Sequence, residues 1–144
     1  MKEPSKKTRA KRKKFANWIW ENQIKPIVRL SADGKCELCG VSDKVKQCHC
    51  HHAQGRQSIF MLLHLDGLLY LCASHHTLSN DMAAHGQSQT ARDAFSAWIK
   101  DYWGKERLEE LERLRRNSPK LTLIDLEEVY EHNKLLLESL EKST

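Results

Sequence analysis

Between Cys36 and Asn80 the chain collects all five of its cysteines and six of its eight histidines, at spacings that suit metal ions. Cys36-Glu-Leu-Cys39-Gly40 is a tight turn in which two thiolates can face one ion while the glycine lets the chain reverse. Cys72-Ala-Ser-His75 offers sulfur and nitrogen at the same spacing. Together they form a Cys3His set, the composition of a closed structural Zn2+ site. Cys48 and Cys50 are separated by one residue, so on a straight strand they do not converge easily on one ion. They are expected to face the core with His49 opposite, although either can replace His75 as a ligand.

The histidines suggest a second kind of chemistry. His51 and His52 are adjacent, so on a strand they point to opposite faces and must do different jobs. One can hold a metal while the other faces a substrate as a base. His76 and Asn80 are four residues apart, which places them on one face if that segment is helical. A strand histidine and two helix residues one turn apart make an open site whose other positions fall to water and phosphate oxygens. Imidazole ligands with open positions suit a catalytic divalent ion. His64, His85 and His132 read as ordinary surface or core residues.

These groups need elements to hold them. Phe15, Trp18 and Ile19 recur at helical spacing from about Lys11, their aromatics facing the cysteine-rich segment, and Pro26 is expected to end that helix. Asp33-Gly34 marks a turn. Runs at 45–50, 59–65 and 68–72 are strand-like, and Asp66-Gly67 between the last two reads as a two-residue hairpin turn. Ser74 is placed to cap a helix running to about His85, with Gly86 closing it. Thr90 is expected to cap the next helix, whose stripe is Phe95, Trp98, Ile99 and Tyr102. Gly104 weakens it, the charged 105–117 run reads as a solvated face, and Ser118-Pro119 breaks the chain. Asp125 and Glu128 offer a capping box for a last helix, which packs within the chain or on a second copy. The expected division is a basic flexible arm at 1–14, a helix and connector at 15–32, a metal-bound core at 33–88 and a helical extension at 89–144.

At 144 residues and 40% hydrophobic, the chain can bury one modest core. The segment from Cys36 to Asn80 is too short to fold without a metal staple. No apolar run is long enough for a membrane span, and the charged N-terminus is not a secretory signal. An odd number of clustered cysteines points to a reducing, intracellular (cytoplasmic) setting. The net charge of +5 is unevenly spread: residues 1–14 carry eight Lys or Arg against one Glu, and residues 121–144 carry six acids against two lysines. A basic head of this kind suggests polyanion binding, here through Lys6, Lys7, Arg9, Lys11, Arg12, Lys13 and Lys14.

The order CxxC, His-His, Leu-Cys-x-x-His-His and a ligand one helical turn later resembles the HNH endonuclease family, with its ββα-metal fold. The resemblance covers about residues 33–86. His51-His52-Ala53-Gln54-Gly55-Arg56 looks like the HHxxGR form of small phage-type members. It implies an α+β chain with a small ββα-metal core stapled by structural zinc and flanked by helices. It also implies that His52 is the general base, and that His51, His76 and Asn80 hold a catalytic Mg2+, Mn2+ or other divalent ion. Arg56 would hold a phosphate, and Cys36, Cys39, Cys72 and His75 the structural zinc. The chain departs from the pattern in having Cys-x-x-His as its second knuckle, and Asp66-Gly67 where the family has an asparagine supporting the base; Asp66 is expected to accept that hydrogen bond instead. The implied activity is metal-dependent hydrolysis of DNA, with a homodimer or protein partner through the C-terminal helices a further expectation. Two other readings are a non-catalytic, zinc-stabilised DNA-binding or recombination-accessory protein, and a zinc-stapled protein-interaction module.

Overall fold

The α-helices and strands of the described residues are, in chain order, α1 (Lys6–Ile19), α2 (Lys25–Ser31), β1 (Cys48–His52), α3 (Ile59–Leu63), β2 (Leu68–Cys72), α4 (Gln89–Trp103), α5 (Lys105–Arg116) and α6 (Leu123–Lys142). The computed structural model describes residues 6–143. β1 and β2 pair antiparallel, from Cys48 opposite Cys72 to His52 opposite Leu68. Every residue of β2 is buried. A strand apolar along its whole length needs cover on both faces, and it has it. On one face Leu68 and Tyr70 pack with Ile19, Trp20, Ile24, Val28 and Leu126 from the two terminal helical layers. On the other, Leu69 and Leu71 pack with Phe95 and Ile99 of α4. The result is an α+β chain, mostly helical, around a two-stranded sheet.

The first helical layer does not stop at Pro26. α1 passes through a π-helical turn, Trp20–Ile24, in which Lys25 donates its N–H to the Trp20 carbonyl, and α2 then starts with Pro26 in its first turn. The wider turn absorbs a proline that lacks an N–H and would crowd a regular helix. The helix also begins at Lys6, so residues 6–14, expected as a flexible arm, are helical, while residues 1–5 lie outside the described residues. Phe15 and Trp18 pack against Tyr130 of α6, with ring centroids 6.2 and 5.7 Å away, and Phe15 also packs on the core that includes Leu63, Leu68 and Tyr70.

The 59–65 run is helical rather than a strand. Ser58 Oγ accepts the Met61 N–H and caps α3, so an apolar run that suits either structure is committed by its cap. Leu65–Gly67 is then a single 3-10 turn leading into β2, and no hairpin forms there. After β2 a π-helical turn, Ser74–Leu78, ends at an extended Ser79, well short of His85. Gly86 is not a helix cap: a Cβ there would lie 2.8 Å from the Ala91 Cβ, so it lets the 79–86 loop press onto α4. Ser88, not Thr90, caps α4 by accepting the Ala91 N–H. The capping box of α6 sits one turn earlier than expected, between Thr122 and Asp125. α6 packs within the chain, with Leu126 fully buried. No helix among the described residues is long and apolar enough to cross a membrane.

Leu71 is fully buried where β2 meets α4. Leu71→Ala should therefore cost about 2–5 kcal/mol of stability, read as a lower urea midpoint at unchanged slope. A midpoint equal to wild type would show that this face of the sheet is not packed as described.

Candidate metal centres

The first cluster is Cys36, Cys39, Cys72 and His75, whose ligand atoms all lie within 4.8 Å of one another. The knuckle closes by two backbone bonds, Gly40 N–H to the Cys36 carbonyl at 2.8 Å and Cys36 N–H to the Val41 carbonyl at 2.9 Å. Gly40 sits at φ 78°, a conformation that glycine adopts freely. Glu37 docks this knuckle on β2. Its N–H donates to the Tyr70 carbonyl at 2.8 Å, and its carboxylate accepts the Tyr70 N–H at 2.6 Å and the Tyr102 hydroxyl at 2.9 Å. Cys72 is the last residue of β2, and the turn that follows brings His75 Nδ1 to 3.3 Å from its sulfur. The Cys39 and Cys72 sulfurs are 3.8 Å apart. A tetrahedron with zinc–sulfur bonds of about 2.3 Å has edges of about 3.8 Å, so the donors are compatible with zinc without rearrangement. Burial opposes the Cys36 thiolate, but the N–H groups of Cys72, Cys39 and Leu38 around its sulfur outweigh it and lower its pKa.

Cys48 and Cys50 stay outside this group. Cys48 Sγ lies 3.5 Å from the Lys46 carbonyl, and Cys50 Sγ 4.0 Å from the Lys25 carbonyl. Burial pushes both thiols up to about 11, and for Cys48 the neighbouring Cys36 and Cys72 add to it. Cys50 faces the α1–α2 layer, whereas Cys48, at the end of the strand, packs against both cores.

The second cluster is His51, His76 and His85, again with donor atoms within 4.8 Å of one another. Their ring centroids form a near-equilateral triangle: 5.2 Å from His51 to His76, 4.8 Å from His51 to His85 and 5.1 Å from His76 to His85. His51 is buried against the edge of Phe95 in α4, at 5.7 Å. His76 comes from the π-helical turn after β2. His85 comes from the loop that folds back on that turn, donating its N–H to the His76 carbonyl at 2.8 Å while Ala84 donates to the His75 carbonyl at 2.9 Å. Burial lowers the His51 pKa to about 3 and the His76 pKa to about 4, with the neighbouring imidazoles adding to the effect. Both are therefore neutral near pH 7 and present lone pairs. Three convergent nitrogens can hold a metal ion with positions left open.

Asn80, expected as the third ligand, is exposed beyond the end of the helical turn and does not line this cleft. His85, read as an ordinary residue, takes part instead. No spacing rule pointed to it, because the loop that delivers it was read as helix. The glycine after it was the available clue.

His52 shares the cleft, of about 650 Å³, with His51, His76, His85, Gln54 and Arg56. Its Nε2 lies 3.1 Å from the Leu62 carbonyl. A carbonyl only accepts, so Nε2 carries the hydrogen, and in the neutral ring Nδ1 keeps the lone pair. Its ring packs on Trp20, a residue presented by the π-helical turn, with centroids 4.6 Å apart and planes tilted by 32°. Burial lowers the His52 pKa, the Leu62 bond raises it and Arg56 lowers it further, for a net depression. Asp66 does not support His52. It is exposed, its carbonyl accepts from Arg107 at 2.8 Å, and its charge acts on His64. The Leu62 carbonyl orients His52 instead. Arg56 is exposed and has no hydrogen-bond or ion-pair partner among the described residues.

Because His51 and His76 resist protonation in the fold, while an unfolded histidine titrates near 6.5, the unfolded chain gains protons first as pH falls. Their contribution is intact above about pH 6.5 and declines toward pH 4 and below. Replacing His76 by Gln should flatten the fall in denaturant midpoint between pH 6.5 and 4, and parallel curves for the two proteins would contradict this. Comparison of the chain with protein-family models, with curated proteins and with solved structures finds no match to any of them.

Proposed function

We propose that this chain is a metal-dependent endonuclease that hydrolyses DNA phosphodiester bonds on an HNH-type ββα-metal core. The observation that carries the reading is the pairing of His51 and His52. One belongs to a three-imidazole cluster, while its neighbour is a neutral imidazole, tied through Nε2 and open at Nδ1, in the same cleft. The order β1, β2 and helical turn, with candidate ligands on the first strand and on the turn, supports it. In this reading Cys36, Cys39, Cys72 and His75 hold a structural Zn2+ that fixes the knuckle to β2.

The donor set fits a divalent ion at His51, His76 and His85, and such an ion, when bound, supplies Lewis-acid relief of charge on the phosphate and the leaving oxygen. The three imidazoles favour a borderline transition metal such as Zn2+, Ni2+ or Co2+ over Mg2+, which prefers oxygen donors. His52 Nδ1 accepts the proton of the attacking water, while the Leu62 carbonyl stabilises the imidazolium that results by accepting from Nε2. Arg56, uncommitted at the mouth of the cleft, binds a non-bridging phosphate oxygen. Asp66 has no role in this arrangement. A non-catalytic DNA-binding accessory protein is the second reading, favoured by one observation: among the described residues no side chain hydrogen-bonds to His52, only the Leu62 carbonyl does.

Three outcomes test the proposal. Purified protein should carry about one tightly held zinc per chain, and Cys36→Ser should lose it and unfold; metal analysis finding no zinc would remove the structural role. Plasmid nicking with added transition metals should fall roughly 10²–10⁴-fold in His52→Ala, with the fold and DNA affinity kept. His85→Ala should raise the metal concentration needed for half-maximal nicking, whereas Asn80→Ala should not. Wild-type protein that nicks under no divalent metal leaves the accessory reading in place.

A further inference from the structure

The basic residues of α1 divide between two faces, and only one of them borders a groove. At 100° per residue, Arg9, Arg12, Lys13, Ala16 and Trp20 share a side of the helix, whereas Lys7, Lys11 and Lys14 lie on the opposite side and are exposed. The first set forms one wall of a groove of about 880 Å³, and Arg56, Gln57 and Ser58 form the other. Arg56 also lines the histidine cleft and a third hollow beside it, so all three meet at this side chain. Trp20 lies in the floor of the groove and carries His52 on its ring at 4.6 Å. The groove therefore leads directly to the proposed base.

Its charge is one-sided. Arg9, Arg12, Lys13 and Arg56 line it against one acid, Glu21, which is engaged by Lys25 at 2.9 Å. Arg12 is held in place by its bond to the Leu121 carbonyl at 3.2 Å, so its charge is fixed at the wall. The 14 residues of α1 extend about 21 Å, the length of roughly six phosphates along one strand of B-form DNA.

We infer that the DNA strand leaving the histidine cleft passes Arg56 and runs along the groove between α1 and the Arg56–Leu62 segment. Its phosphates meet Arg9, Arg12 and Lys13, and Lys7, Lys11 and Lys14 make no contact with it. The inference rests on the nuclease reading for the direction of the strand, but its test does not depend on cleavage.

Two double variants remove the same charge from the same helix: Arg9→Gln with Lys13→Gln in the groove, and Lys7→Gln with Lys11→Gln on the opposite face. Binding to a short fluorescent DNA duplex is measured across a salt series without added divalent metal, with thermal melting to confirm that both variants fold. The groove pair should lose tenfold or more in affinity, and its slope of log affinity against log salt should fall by about 1.8, the value for two phosphate contacts. The opposite-face pair should keep nearly the wild-type slope. Equal losses in the two pairs, or no binding by wild type, would overturn the groove. A loss confined to the groove pair, in a protein that nicks DNA under no metal, would remove the nuclease reading and leave the groove standing. Nicking by wild type with no loss in the groove pair would do the reverse.

Discussion

The register of two short strands is the constraint on which the rest of the molecule depends. Because side chains alternate along a strand, pairing Cys48 with Cys72 and His52 with Leu68 sorts β1 into two sets. Cys50 and His52 turn toward the α1–α2 layer, while His51 turns toward α4 and His49 toward His76 in the turn after β2. A slip of one residue would exchange the sets, burying the candidate base against Phe95 and sending His51 toward Trp20. β2 resists such a slip because Leu68 and Tyr70 belong to one core and Leu69 and Leu71 to the other. Packing on both faces thus fixes which imidazole joins the cluster and which is left to meet a substrate.

The two clusters differ in a way that follows from their donors and surroundings. The first group offers three sulfurs and one nitrogen, enough donors to close a tetrahedron around an ion, and the knuckle that supplies two of them is bonded to β2 through Glu37. Four protein donors of this kind would leave a tetrahedral ion no open position, which suits a structural role. The second cluster has three nitrogens and opens on a cleft. Burial keeps its imidazoles neutral, so the energy spent on desolvating them leaves their lone pairs free for a ligand. His49 stands behind this cluster, its Nδ1 3.3 Å from the Nδ1 of His76, and the pair accommodates one hydrogen between them.

Local departures from regular structure place the working groups. The π-helical turn at Trp20–Ile24 admits Pro26 and at the same time presents Trp20 beneath His52. The second such turn, Ser74–Leu78, carries both His75 and His76, one to each cluster. Gly86 brings the following loop within contact of Ala91, and that approach delivers His85. Single-turn π-helical segments cost hydrogen-bond regularity, and they recur at sites where a side chain must be aimed.

The sequence by itself determined the local items: the Cys3His set from its paired spacings, the opposition of His51 and His52 from adjacency on a strand, the position of β2 from its unbroken apolar run, and the charge carried by the N-terminal helix. Each depends on neighbours a few residues apart, where covalent geometry leaves few choices. Tertiary structure alone decided the third imidazole, the partner of His52 and the groove. His85 reaches His51 only because a glycine lets a loop close on α4. Leu62, rather than Asp66, meets His52 because a serine cap turned an ambiguous apolar run into α3. The division of α1 into a groove face and a solvent face required α3 as the opposite wall. Such juxtapositions come from packing between distant segments, for which residue spacing holds no signal.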